Sequence, residues 1–251
     1  MLSIFDIFKV GVGPSSSHTN GPMIAGHHFT TLLTPLLKTV DRIQVDLFGS
    51  LSLTGRGHHT DRAVILGLLG NRPDTIKMTT AKAALKVAID ENSLNLAGNK
   101  VINFSYDSDL LFHKDNLPLH ENGMTITAFD SNKKEICKEV YYSIGGGFIA
   151  TAKELEEGTG SNSVSVPFPF KSADEMLSMA EDNGLSLGAM ILLNEQNFFN
   201  DEEISAKADQ IWKVMSLCMQ RGLETEGILE GGLNITRRAP NLLKKLESNE
   251  I

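Results

Sequence analysis

The sequence is short of three things, and each shortage closes off a class of protein. It has two cysteines in 251 residues, Cys137 and Cys218, with no CxxC spacing. A disulfide scaffold is ruled out, and so is a self-contained zinc–thiolate or iron–sulfur site, which needs three or four thiolates. Long apolar runs are missing: the longest, Ala189–Leu193, is about five residues, against the ~20 a membrane span requires. Asp6 and Lys9 interrupt the first ten residues, so the start does not read as a signal peptide and the chain reads as cytosolic. Positive charge is scarce: 23 Lys and Arg against 31 Asp and Glu give a net charge of −8, opposite to a general nucleic-acid binder.

What is present is an ordinary globular composition, 41% hydrophobic and 22% charged, and a length that fits one large domain or two small ones. Acidic residues are absent from Ile7 to Val40, a stretch that holds Lys9, Lys38, His18, His27 and His28. Such a window suits a surface facing an anion, or equally a buried helix with its loop.

Alternation marks strands at Arg42–Phe48, Val101–Tyr106 and Met124–Phe129, with a β-rich run at Ile136–Ile144 joined to the previous strand through Asp130-Ser131-Asn132. Helices are expected at Asn20–Leu37, capped by Thr19 or Asn20, at Asp61–Leu69, capped by Thr60 or Asp61, and at Ala81–Asp90. The first 150 residues therefore predict an α+β domain, helices on a mainly antiparallel sheet. Beyond Ala150 the pattern changes. Glu154–Val164 reads as a polar loop, and Val166–Phe170 as extended chain because of its prolines. From Ser172 the sequence is helical, with Ile204, Ala208, Ile211, Met215, Cys218 and Met219 predicting one buried face of a long helix at Asp201–Arg221. The expected organisation is a domain at 1–150, a linker at 151–171 and a helical segment at 172–251.

Four loops combine residues that can do chemistry. In Gly11–Thr19, Ser15, Ser16, Ser17 and His18 lead into a helix, which suits a carboxylate or phosphate or a plain capped turn; the GK[ST] ending of a Walker loop is absent. In Gly49–Asp61, His58 or His59 offers a general base, a structural histidine, or, with Asp61, a weak zinc site. Asn116–Gly123 carries His120, Glu121 and Asn122, a base with polar contacts or an ordinary turn. Ser143-Ile-Gly145-Gly146-Gly147 either presents backbone amides to a ligand or forms a bend.

These loops, with Ser3–Lys9, Leu117–Met124, Tyr142–Ile149, Val166–Ala173 and Thr236–Ala239, resemble the bacterial iron–sulfur L-serine dehydratases over nearly the whole chain. The resemblance implies a cytoplasmic lyase of serine catabolism and gluconeogenesis. It converts L-serine to pyruvate and ammonia without pyridoxal phosphate. A [4Fe–4S] cluster acts as Lewis acid on the serine hydroxyl, and a protein base removes the Cα proton. It implies an amino-acid-binding β domain that lends loops to the site, a cluster-bearing α catalytic domain as partner, and a homo-oligomer. Carried over residue by residue, Ser15, Ser16, Ser17, His18, Asn122, Ser143, Gly145 and Gly146 face the substrate. His58, in the G-x-G-H-x-T-D frame, is the expected base, with His120 second. The family's cluster cysteines do not coincide with Cys137 or Cys218. The cluster ligands are thus expected outside these residues. The chain is expected to be inactive alone, either the truncated first half of a single-chain enzyme or a separate subunit; the alternative is a regulatory module that binds L-serine without catalysis.

Overall fold

A computed structural model describes residues 2–158, 164–229 and 234–248. Helices are α1 Ile4–Ile7, α2 Gly21–Leu32, α3 Gly49–Leu53, α4 Thr60–Leu68, α5 Met78–Asp90, α6 Tyr106–Asp109, α7 Ala152–Glu156, α8 Ala173–Asp182, α9 Leu187–Glu195, α10 Asp201–Glu224 and α11 Ala239–Glu247. Strands are β1 Arg42–Leu47, β2 Ser93–Leu96, β3 Lys100–Asn103, β4 Leu110–Phe112, β5 Gly123–Phe129, β6 Glu135–Gly145 and β7 Phe148–Thr151. The chain divides into two compact units, Gly11–Gly160 and Met1–Val10 with Ser161–Ile251.

In the first unit the strands form one α+β sheet, ordered β2-β3-β1-β5-β6-β7, with β4 beside β1. Pairing is antiparallel except where β1 meets β3 and β4. The expected β5–β6 hairpin is present. β1 shows why the alternation was informative: Ile43, Val45 and Leu47 enter the core with Phe29, Ile65 and Met124. On the other face Arg42 donates to Gln44, Gln44 to Asp46, and Asp46 meets His113 Nε2 at 2.7 Å. The strand expected to reach Tyr106 stops at Asn103. The Asp109 carboxylate accepts the Ser105 N–H (2.7 Å) and Arg42 Nε–H (2.6 Å), closing the turn that begins α6.

The helix expected over Asn20–Leu37 is α2 alone, followed by a 3₁₀ turn at Thr34–Thr39. Pro35 has no N–H and its ring clashes with an α-helical continuation. Helices α2 and α4 meet backbone to backbone. A Cβ on Gly26 would lie 2.5 Å from Val64 O, and one on Gly67 would lie 2.1 Å from Met23 O. Since the segments entering both helices are also bonded to each other (below), the two run in parallel.

In the second unit, α1 is anchored by a buried carboxylate. Glu195, 2% exposed, accepts Ser3 Oγ–H at 2.6 Å and Ile4 N–H at 2.8 Å. Asn194 brackets the extended stretch by bonding both backbone groups of Phe168 (2.9 and 2.8 Å). Ser172 caps α8 through the Glu175 N–H, and Asn200 with Glu203 forms a capping box on α10. The loop expected from Glu154 begins instead inside a helix, Ala152–Glu156, because Thr151 and Glu154 make a further capping box; 159–163 lie outside the described residues. The buried face expected on α10 is corrected. Only Ile204 is buried there, while Met215 is 46% and Met219 51% exposed and Cys218 is exposed. The periodicity aligns these residues on one face; within this unit Phe8, Ile4 and Phe5 of the N-terminal segment line an apolar groove with Ile211, Trp212 and Met215. No helix among the described residues is long and apolar enough to cross a membrane.

Candidate active site

Two histidine-bearing segments meet at the starts of α2 and α4. The segment Ser16–Asn20 is a single wide helical turn, whose entry is held by Ser15 Oγ accepting the His18 N–H at 3.1 Å. This places the His18 ring between two hydroxyls, Ser17 Oγ at 3.0 Å from Nδ1 and Ser50 Oγ at 2.9 Å from Nε2. The His58 ring lies beside it, centroids 5.0 Å apart and tilted by 44°. The residues expected to cap the helices do not do so. Neither α2 nor α4 has a side-chain cap. Thr60 Oγ1 instead donates to His18 O (2.7 Å), and Thr19 Oγ1 donates to His58 O (2.9 Å).

The nitrogen each ring has free follows from its partner. His58 Nδ1 lies 3.1 Å from Thr54 O. A carbonyl only accepts, so Nδ1 carries the proton and the neutral ring keeps its lone pair on Nε2. His120 is the reverse: its Nδ1 accepts the Asn122 N–H at 3.0 Å, so its neutral ring carries the proton on Nε2. His18 binds protons less readily than an ordinary imidazole. Burial is the largest cause and positive charge on His58 the second, against Ser50 and Glu121. Unfolding therefore restores proton affinity. The contribution of this group to stability is present above the ordinary value of 6.5 and is lost as pH falls below it. A proton-NMR titration of the folded chain should place the His18 midpoint below 6.5, while in denaturant it returns to that value.

The third loop joins through Ser50, whose N–H donates to Glu121 O at 2.9 Å, next to Gly49 N–H on Asp115 O at 2.9 Å. Gly49 has φ +52°, and a Cβ there would lie 2.2 Å from Glu121 O, so only glycine lets these loops approach. Asn122 then links to the fourth loop, since Ser143 N–H donates to Asn122 O (2.9 Å) and Asn122 Nδ2 to Ser143 O (3.2 Å). Ser143 Oγ abuts Gly21, where a Cβ would lie 2.1 Å away. Asn122 Oδ1 and Ser143 Oγ are buried and, among the described residues, have no hydrogen-bond partner. Gly145, Gly146 and Gly147 are all left-handed and turn β6 into β7, with Gly147 against Asn20. Ser15, Ser17, His18, His58, Asn122 and Ser143 thus belong to one connected network. Ser16 contributes its carbonyl, to Gly21 N–H, and His120 joins through the Asn122 amide. Ser50, Thr19 and Thr60 were not singled out from the sequence as site residues, although all three stand in the Gly11–Thr19 and Gly49–Asp61 loops already noted.

Asp61 faces elsewhere. It is 5% exposed, and its Oδ2 accepts the Tyr106 hydroxyl, whose proton is held more tightly through burial and this bond. Among the described residues no group of three or more His, Cys, Asp or Glu side chains could hold a metal ion. The two thiols do not fit a [4Fe–4S] cluster. Cys137 is part-buried on β6, its pKa raised by burial, Cys218 is exposed on α10, and two thiols are fewer than the three or four such a cluster needs.

Comparison with known proteins bears on this arrangement. Residues 3–154, which carry all four loops, match the model of the serine dehydratase beta chain. The full chain is 44% identical to L-serine dehydratase 1 of Escherichia coli, covering 100% of this chain and 55% of that protein. It is 45% identical to L-serine dehydratase 2 of the same organism, again over 100% and 55%. It is 43% identical to L-serine dehydratase of Haemophilus influenzae, over 99% and 55%. The chain spans about half the length of these curated relatives. With the histidine loops inside the matched segment, the chain belongs to the serine dehydratase beta chain family.

Proposed function

We propose that the chain supplies the substrate-facing part of an L-serine ammonia-lyase, and that the His18–His58 pair is its reactive centre. The observation that supports this is the His58 ring, whose Nδ1 is committed to Thr54 O and whose Nε2 is thereby a proton acceptor, set against a second imidazole at 5.0 Å. In the reaction His58 Nε2 takes the Cα proton of L-serine, the Cα–H pair becomes the Cα=Cβ bond, and the β-hydroxyl leaves as water once protonated. The aminoacrylate tautomerises and hydrolyses to pyruvate and ammonia. His18, whose proton affinity is lowered, stays neutral beside the imidazolium that His58 becomes. Ser15, Ser16, Ser17, Asn122, Ser143 and the Gly145-Gly146 turn are the substrate contacts, with Asn122 Oδ1 and Ser143 Oγ the polar atoms left for a ligand. The base is therefore His58, and His120, which offers Nε2–H, is a donor.

The cluster that the resemblance implies takes its ligands from outside these residues, on the part of the relatives that this chain does not span, and the exposed apolar face of α10 is where that part docks. The test is to assay pyruvate release from L-serine, anaerobically with iron and sulfide. The chain is taken alone and co-expressed with the segment of E. coli L-serine dehydratase 1 that it does not cover. Release only from the pair is the expected result. Release from the chain alone overturns the placement of the cluster ligands. L-serine binding with no release from either overturns catalysis in favour of a regulatory serine-binding module.

A further inference from the structure

We infer that Thr19 and Thr60 form a reciprocal brace that positions His18 and His58 against each other; the inference rests on the proposed reading of that pair as the reactive centre. Thr19 immediately precedes the α2 N-cap Asn20 and Thr60 immediately follows the α4 N-cap His59, and both hydroxyls go to the other segment. Thr60 Oγ1 donates to His18 O at 2.7 Å across 42 residues of sequence, and Thr19 Oγ1 to His58 O at 2.9 Å across 39. The acceptors are the carbonyls of the two histidines themselves. Thr60 is 0% and Thr19 3% exposed, so water does not compete for either bond. Thr19 Oγ1 also accepts the Ser15 N–H at 3.3 Å, which leaves its own proton for His58 O.

The brace fixes the backbone at the root of each ring, and the ring bonds fix the rest: Ser17 and Ser50 for His18, Thr54 O for His58. Each threonine thus adds a direct tie between the two backbones at the histidines themselves, beside the His18–Ser50 contact that also crosses between the segments. Displacement of a reacting group by about 1 Å costs on the order of 10²-fold in rate. Thr19 and Thr60 are accordingly positioning residues: neither side chain reaches toward the ring nitrogens.

Thr60→Val keeps the shape and removes the donor; Thr60→Ser keeps the donor. In the labelled full chain, nuclear Overhauser contacts between the His18 and His58 rings should be present, lost in Thr60→Val and recovered in Thr60→Ser, with the remaining amide spectrum unchanged. In the co-expressed pair, kcat should fall about 10- to 100-fold in Thr60→Val, with KM within about threefold, and recover in Thr60→Ser. Thr19→Val should reproduce the loss. Ring contacts that persist in both valine variants, an unchanged kcat, or a serine variant as impaired as the valine one would each overturn the brace. So would unfolding of both valine variants, since the bonds would then serve the fold alone. A wild-type pair that releases no pyruvate counts against the proposed function; the ring contacts, read on the chain itself, still decide the brace.

Discussion

Replacing His58 with alanine should reduce pyruvate release by the co-expressed pair at least about 10²-fold, the usual loss when a general base is removed. The fall should be in kcat, because in the proposed reaction the imidazole acts on the Cα proton while the serine and asparagine side chains hold the rest of the substrate. His120→Ala is the informative comparison. Its Nδ1 accepts the Asn122 N–H, which leaves a donor at Nε2 rather than a lone pair. It should cost less than His58→Ala. A larger loss at His120 would transfer the base role to that residue, and near-normal turnover in His58→Ala would remove His58 from the chemistry. L-serine binding by both variants, followed by calorimetry, separates lost chemistry from lost fold.

The largest effect on stability is expected at Gly67. A methyl group there would sit 2.1 Å from Met23 O, 2.9 Å from His27 N and 3.0 Å from Gly26 Cα, all backbone atoms of α2 that no rotamer change can move. The helices must separate, at a cost of roughly 2–3 kcal/mol or more, about 5–10 °C in melting temperature at this chain length. The control is Gly222 in α10, where a Cβ meets nothing within 4 Å. Alanine there should be neutral or stabilising by up to about 1 kcal/mol. Calorimetric melting of both variants tests the contrast; equal melting temperatures would mean that the α2–α4 crossing yields without penalty. Because α2 and α4 begin at the two histidines, Gly67→Ala should also weaken L-serine binding.

Much of the sheet was readable because β1, β5 and β6 are long enough, at six, seven and eleven residues, to repeat the two-residue pleat several times. β2, β4 and β7 have four, three and four residues, too few for alternation to stand above chance. α3 escaped notice for a different reason. Its leading amides are held by Asp115 O and Glu121 O, contacts from a loop more than sixty residues away. The long helix was readable in extent, but periodicity only says which residues share a face; whether anything covers Met215 and Met219 is a matter of tertiary structure. The site divides similarly. Serine and histidine in Gly-rich loops announced themselves by residue type. The partner that fixes each imidazole did not, since Ser50 reaches His18 only where two loops meet and Thr54 O, four residues before His58, is a backbone carbonyl that residue type does not reveal. The threonines misled, because a hydroxyl at a helix entry usually caps it, and here each donates to a carbonyl of the opposite segment.

The anchoring of α1 sets an order of events during synthesis. Ser3 leaves the ribosome well before Glu195, which holds it and lies 192 positions later. At about 5–20 residues per second, that is a wait of roughly 10–40 s. The Gly11–Gly160 unit, by contrast, has every sheet partner by the time β7 emerges. The histidine centre can therefore be assembled while the α1 segment still lacks its anchor, and a nascent chain halted before residue 195 should be cleaved by protease near Ser3.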